Sequence, residues 1–237
     1  MRPQPDDVTC GPTCLDAVYR FYGDTVGLEH LLREVAMTPT GGTLAVHLAN
    51  HALARGYRVR MITWNLQVFD PTWFTPGAGD LCRHLRDQLE HKPDPRVQEA
   101  SRAYIEFLEK GGVLAYDDLR PSLLRELLVK GGPIITGLSA TFLYRAKRER
   151  PTDQQEDDLR GEPVGHFVVL SGYHKNDREV SVSDPLHDNP FSHTHTYRVP
   201  IDRVIGAIYL GVLTYDANLL MISPAPAAKA PGKDRTG

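Results

Sequence analysis

A cysteine at the start of a predicted helix is the strongest candidate for chemistry in the sequence. Cys10 is followed by Gly11, Pro12 and Thr13, and Pro12 stands where a proline is favoured in the first turn of a helix. A helix N-terminus carries unpaired backbone N–H groups and a partial positive charge, which stabilise a thiolate. Cys10 is therefore predicted to be a nucleophile that attacks a carbonyl carbon. Gln4, six residues earlier, offers an amide N–H₂ group to the oxyanion that such an attack produces.

Two residues far along the chain have the types that activate a thiol. His166 leads an apolar run that predicts a buried strand, and Asp184 ends the next predicted strand just before Pro185. Lys-Asn-Asp at 175–177 predicts a hairpin turn, which brings His166 and Asp184 close together. A nucleophilic thiol needs a base, and the base needs a third group that fixes its tautomer. The chain order Cys…His…Asp is typical of papain-like sites.

Each of these residues also has an ordinary structural interpretation when it is taken alone. Cys10 is then a packed core thiol, His166 a satisfied histidine at a strand edge, and Asp184 a turn aspartate. Their combination with Gln4 favours the functional interpretation, because a non-catalytic thiol has no need of an amide at that offset.

The same stretches resemble a known family. Gln4, the run CGPTCL from Cys10, the run GHFVV around His166 and the Asp-Pro pair at Asp184 are similar to the motifs of cysteine peptidases that process bacteriocin leader peptides, and of their stand-alone relatives. The resemblance implies a papain-like fold, with Cys10 as nucleophile, His166 as general base and acid, Asp184 as the group that orients His166, and Gln4 as oxyanion donor. Better-known members cleave after a double glycine and are fused to an ABC transporter, whereas this chain is expected to be a stand-alone member.

The resulting hypothesis is a thiol hydrolase that cleaves a peptide or isopeptide bond through a thioester. Two alternatives stay open from the residues alone. An acyltransferase would use the same thioester with an amine or a thiol in place of water, and an inactive papain-like domain would bind a peptide without turnover. A peptide or protein substrate is expected, and no cofactor or metal.

Composition excludes several classes of protein. Of the 237 residues, 41% are hydrophobic and 24% charged, which is close to the globular average, and the net charge of −3 gives no field that attracts nucleic acid. No apolar run predicts a signal peptide or a membrane span. The three cysteines, at 10, 14 and 82, are too few and odd in number to predict a secreted disulfide framework. We expect a soluble cytoplasmic protein, and nothing in the sequence indicates an oligomeric state.

The hydrophobic periodicity predicts an α+β fold, with a helical lobe packed on an antiparallel sheet lobe. One papain-like domain is expected over 1–222, helical over about 1–130 and sheet over about 131–222, followed by a disordered tail at 223–237. Thr43 is predicted to cap a helix. The predicted helices cover 11–22, 28–35, 44–51, 81–89, 97–108 and 121–130, and the predicted strands 57–64, 133–139, 166–173, 180–183, 194–199 and 207–213.

Three further features have competing interpretations. The charged segment 145–162 predicts a solvated surface loop or a lid beside the site near His166. Cys14, one helical turn after Cys10, is expected to pack beneath the site rather than to form a metal or redox pair with it. His187, His193 and His195 follow Asp184 and are expected to be surface histidines, with a metal site as the alternative.

Overall fold

The computed structural model describes residues 1–39, 41–192 and 194–225, and this part of the chain folds into helices packed on one sheet. The α-helices are α1 (Cys10–Phe21), α2 (Leu28–Glu34), α3 (Ala45–Ala54), α4 (Leu81–His91), α5 (Pro95–Glu109), α6 (Pro121–Lys130), α7 (Ala140–Tyr144) and α8 (Ile201–Leu210). The strands are β1 (Arg58–Thr63), β2 (Val113–Ala115), β3 (Ile134–Ser139), β4 (Gly165–His174), β5 (Glu179–Ser183), β6 (Thr196–Pro200) and β7 (Asn218–Ser223). Short 3₁₀ helices cover Pro71–Phe74 and Gly211–Thr214.

All seven strands join a single sheet in the order β2-β1-β7-β3-β4-β5-β6. Every neighbouring pair is antiparallel except β1 and β2, which are parallel. The sheet therefore takes strands from both sides of residue 130. Among the described residues, no helix is long and apolar enough to cross a membrane.

Each face of the sheet is covered by helices, and each face has its own hydrophobic core. Side chains alternate between the two faces along a strand. In β4, Phe167 and Val169 pack in the same core as Leu15 and Val18 of α1, whereas Val168 and Leu170 pack on the opposite side with residues of α6 and α8. The helix that begins at Cys10 is thereby fixed against the strand that carries His166.

The α+β class is confirmed, and most predicted elements are present. The last predicted strand, at 207–213, is wrong, because these residues lie in α8 and the 3₁₀ helix that follows, and β7 is the last strand. Ile201, Val204 and Ile208 are buried at helical spacing, but the unbroken apolar run hides that period. The other missed elements are short, namely β2 and α7.

The predicted cap of α3 is also wrong. Leu44 precedes the helix, and no side chain caps it. The Thr43 hydroxyl instead donates to the carbonyl of Ala36, at 2.6 Å, and so ties the start of α3 to the end of α2. Of the predicted tail, Ser223 ends β7, and residues 226–237 lie outside the described residues.

Gly137 in β3 is required by a close approach between the sheet and Asp216. A Cβ atom at residue 137 would lie 2.5 Å from the Asp216 Cβ and 3.0 Å from the Phe167 ring. We expect Gly137→Ala to lower the free energy of unfolding by about 1–3 kcal/mol, because overpacking displaces buried neighbours. Urea unfolding measures the change.

Gly172→Ala in β4 is the matched control, because the nearest atoms to its added Cβ lie 3.8 Å away. We expect this variant to stay within about 0.5–1 kcal/mol of the wild type. Equal losses in the two variants would contradict the explanation by close packing.

Candidate active site

The hairpin of β4 and β5 brings His166 and Asp184 together. The two strands are antiparallel, with Val169 opposite Ser183. Continuing this register by one residue puts Asp184 opposite Val168, two residues from His166 and on the same face of the sheet. The His166 Nε2 atom lies 2.8 Å from the Asp184 Oδ1 atom, so the predicted pairing is present.

Cys10 reaches the same histidine from α1. It is the first residue of the helix, and it lies close enough to His166 to help raise the pKa of the imidazole. Since the Nε2 atom of His166 is engaged by Asp184, Nδ1 is the ring nitrogen left for another partner. Cys10 and His166 are each 8% exposed, so both residues are buried except for a small accessible surface.

Cys14 fixes the position of α1 on the sheet. Its thiol donates to the carbonyl of Phe167, with a distance of 3.3 Å between sulfur and oxygen. One turn of helix separates it from Cys10, and one peptide unit separates Phe167 from His166. Burial first of all, together with the charges of Cys10 and Asp184, raises the pKa of the Cys14 thiol well above its usual range. Cys14 is therefore a neutral packing group beneath the site, as predicted.

The Asp184 carboxylate is fully buried and surrounded by donors. The hydroxyls of Tyr144 and Tyr197 both donate to its Oδ2 atom at 2.5 Å, and the N–H of Leu186 donates to its Oδ1 atom at 2.9 Å. Burial alone would raise the pKa of Asp184, but the hydrogen bonds from His166 and the two tyrosines hold it below its usual value. The carboxylate is therefore ionised at neutral pH.

The two tyrosines are the residues of the site that the sequence analysis missed. Tyr144 ends α7, just before the charged segment, and Tyr197 lies on β6 with its side chain on the buried face. Burial and the nearby Asp184 charge raise the pKa of both phenols, so they stay neutral donors. Alternation along β6 indicates that Tyr197 points inward, but no signal in the sequence marks Tyr144.

The environment of His166 favours its protonated form. Burial lowers the pKa of the ring, but the hydrogen bonds and charges of Asp184 and Cys10 outweigh burial and raise the pKa to about 10. The site at neutral pH therefore holds an imidazolium between a carboxylate and a sulfur atom.

Gln4 is tied to the turn that follows Asp184. Its backbone N–H donates to the carbonyl of Pro185 at 2.8 Å. Its side-chain N–H₂ group donates to the carbonyl of Asp6, also at 2.8 Å, and its Oε1 atom is buried without a hydrogen-bond partner. The N-terminal segment thus packs beside the carboxylate of the site, and the role of Gln4 as oxyanion donor stays a prediction.

His187 and His195, the described members of the histidine cluster after Asp184, have separate partners. His187 is exposed and pairs with Asp188, at 2.9 Å, and the His195 Nδ1 atom lies 2.9 Å from the carbonyl oxygen of Asp184. His193 lies outside the described residues. Within the described part of the chain, no group of three or more His, Cys, Asp or Glu side chains is arranged to hold a metal.

The charged segment 145–162 forms an exposed loop with its own backbone hydrogen bonds. Glu149 and Glu162 exchange two of them, at 3.1 and 2.8 Å, and close the neck of the loop. Beyond the neck, the N–H of Val164 donates to the Thr141 hydroxyl at 2.9 Å. Both ends of the loop are therefore fixed close to the start of β4.

A helix that begins at a cysteine packs on a largely antiparallel sheet, where a histidine pairs with an aspartate, and this agrees with the helix-and-sheet arrangement expected from the sequence. Two curated relatives are similar to part of the chain. Both are the Transport/processing ATP-binding protein ComA, from two strains of Streptococcus pneumoniae, and each is 39% identical over 69 residues. The match covers 29% of this chain and only 10% of the relatives' length.

Two solved structures are similar over most of the chain. The peptidase domain of Streptococcus ComA, a bi-functional ABC transporter, has a TM-score of 0.44 and 15% identity, over 94% of this chain and 97% of that one. A double glycine motif protease from an AMS/PCAT transporter, in complex with the leader peptide, has a TM-score of 0.45 and 13% identity, over 94% and 89%. No family model matches the chain. Both TM-scores are below 0.5, so the fold is defined by the chain's own sheet and helices rather than by these similarities.

The raised pKa of His166 predicts how stability changes with pH. A group that holds its proton more tightly when folded stabilises the fold fully below its unfolded pKa, about 6.5 for histidine. That contribution is lost as the pH rises through the folded value of about 10. We expect the wild type to have a higher free energy of unfolding than His166→Gln. The difference, measured by urea titration, should be largest at pH 6 and smallest above pH 10.

His187→Gln is the control, because it removes an exposed imidazole. We expect it to change stability by less than about 0.5 kcal/mol at any pH in this range. A wild-type advantage over His166→Gln that is constant between pH 6 and pH 11 would contradict the paired imidazolium.

Proposed function

We propose that the protein is a cysteine peptidase that cleaves a peptide or isopeptide bond through a thioester. The observation that carries the proposal is His166, whose Nε2 atom lies 2.8 Å from the buried Asp184 carboxylate and whose pKa is raised by Asp184 and by the nearby Cys10 sulfur. A nucleophile, a base and a group that orients the base are the three parts that covalent acyl transfer requires.

The first half of the proposed reaction forms the thioester. In the proposed step, the sulfur of Cys10 attacks the carbonyl carbon of the substrate while His166 holds the proton. The carbonyl oxygen becomes an oxyanion, which the backbone N–H of Cys10 and the Gln4 amide stabilise. When the oxyanion collapses, the carbon–nitrogen bond breaks, and His166 donates its proton to the departing amine.

The second half releases the acid. His166, now neutral, takes a proton from water, and the resulting hydroxide attacks the thioester carbon. The carbon–sulfur bond breaks, the carboxylic acid leaves, and the sulfur and His166 return to their starting state. Asp184 keeps the ring in one orientation and stabilises each imidazolium that forms.

Local backbone geometry supports the oxyanion role of α1. Thr9 precedes the helix, and its side chain does not cap the first turn but donates to the carbonyl of Asp6. Pro12 has no N–H to satisfy. The helix N-terminus at Cys10 therefore keeps its positive end for a developing negative charge.

A peptide with a double-glycine motif is the substrate class that we propose to test first. The similarity to a Transport/processing protein over 69 residues and the resemblance around Cys10 and His166 support this choice. The stand-alone character of the protein and its location in the cytoplasm stay predictions.

The proposal predicts Cys10-dependent turnover. We expect the wild type to cleave peptides from a mixed library that includes double-glycine sequences, and Cys10→Ala to lower the rate at least about 1,000-fold, because no nucleophile remains. Mass spectrometry of the products measures cleavage. Cys82→Ala is the matched control, since Cys82 is a partly exposed thiol on α4, and it should cleave at the wild-type rate.

Two further outcomes separate the alternatives. Added hydroxylamine should trap the thioester as a hydroxamate, and a product that carries an added amine in preference to water would identify an acyltransferase. Binding of library peptides without any Cys10-dependent cleavage would contradict the proposal and indicate an inactive peptide-binding domain. Loss of activity on addition of a chelator would contradict the thiol mechanism.

A further inference from the structure

A cavity of about 440 Å³ opens beside the candidate active site. Ser139 and Pro163 are part of its wall. Ser139 pairs across the sheet with Gly165, the residue directly before His166, and Pro163 lies three residues before His166. A chain extended from the reacting centre therefore reaches the cavity within about two to four residues, at roughly 3.3 Å per residue.

One part of the wall is apolar and open to solvent. Phe142 of α7, Leu210 at the end of α8 and Leu213 of the following 3₁₀ helix contribute this surface. They are 42%, 38% and 53% exposed, although the sheet beneath them is tightly packed. Such side chains suit the aliphatic part of a bound residue.

The charged side chains in the cavity wall are both positive. Arg145 and Arg203 line the cavity, and among the described residues no acidic side chain does so. Neither guanidinium has an ion-pair partner in the described part of the chain, whereas Arg150 and Arg160 of the charged loop do. Arg145 directly follows α7 and has a φ angle of 57°, a left-handed conformation that is uncommon for a residue with a side chain. The fold thus keeps two unneutralised guanidinium groups beside one apolar wall.

We propose that this cavity is a specificity subsite that binds an acidic side chain of the peptide substrate, two to four residues from the bond that is cleaved. Arg145 and Arg203 bind the carboxylate, and Phe142, Leu210 and Leu213 contact its aliphatic stem. A guanidinium group donates two parallel hydrogen bonds to a carboxylate, which gives this recognition its geometry. The proposal rests on the proposed peptidase function and names the substrate class of that same site.

The test uses peptides of one cleaved sequence, taken from the library, with acetylated N-termini and amidated C-termini. Glu, Gln or Lys replaces each of the four residues on either side of the cleaved bond in turn. Because both termini are blocked, only a side chain supplies the carboxylate. At one or more of these positions, we expect kcat/KM for Glu to exceed that for Gln by about tenfold, which is the size expected for one charge-assisted hydrogen bond. The preference should shrink in 1 M salt.

Variants assign this preference to the two arginines. The double variant Arg145→Gln with Arg203→Gln should reduce the Glu-to-Gln ratio to about one, and Arg203→Glu should favour Lys over Glu at the same position. Arg58→Gln is the matched control, because Arg58 is an exposed arginine at the opposite end of the sheet, and it should keep the wild-type ratio. Circular dichroism and thermal unfolding verify that each variant is folded.

The outcomes separate the two levels of the proposal. Cys10-dependent cleavage with equal rates for Glu and Gln at all eight positions would overturn the subsite and leave the peptidase function standing. A Glu preference that survives in the folded double variant would also overturn it, because another surface would then be its source. Free glutarate, a dicarboxylate that is not part of a peptide, should inhibit the wild type but not the double variant. That result would support the subsite. Absence of any Cys10-dependent cleavage would overturn the peptidase function and the subsite with it.

Discussion

The imidazole of His166 is the centre on which the site depends. It is buried, and burial by itself disfavours its charged form, yet a carboxylate on one side and a sulfur on the other more than offset that cost. This balance requires that Asp184 stays ionised although it is buried away from water. The Tyr144 and Tyr197 hydroxyls and the Leu186 N–H make this possible, because the hydroxyls donate to the Oδ2 atom and the N–H donates to the Oδ1 atom that also contacts His166.

The architecture keeps these groups in register. The antiparallel pairing of β4 and β5 fixes His166 against Asp184, and β6 adds Tyr197 from the adjacent strand. On the other face of the sheet, α1 is held by its apolar side and by the Cys14 bond to the Phe167 carbonyl. A helix start and a strand start are both rigid elements, so Cys10 meets His166 without the entropy cost of ordering a loop.

Part of this site was predictable from the sequence, for identifiable reasons. Residue types and a hairpin turn were sufficient to pair His166 with Asp184, and helix-start signals were sufficient to position Cys10. Tyr144 was beyond sequence reasoning, because its role arises only when α7 packs next to β6. The apolar run at 207–213 could not be resolved into helix by alternation alone, and the short strand β2 depends on its neighbour β1 rather than on its own three residues.

The most direct test of the account is the protonation state of His166 in the intact protein, measured by ¹⁵N NMR of the imidazole ring across the pH range. We expect an imidazolium signal that persists at pH 8, where an ordinary histidine is neutral. We also expect this signal to weaken at the same pH in Cys10→Ala and Asp184→Asn, because each change removes one of the two groups that hold the proton. A His166 ring that titrates near pH 6.5 in the wild type would contradict the central claim.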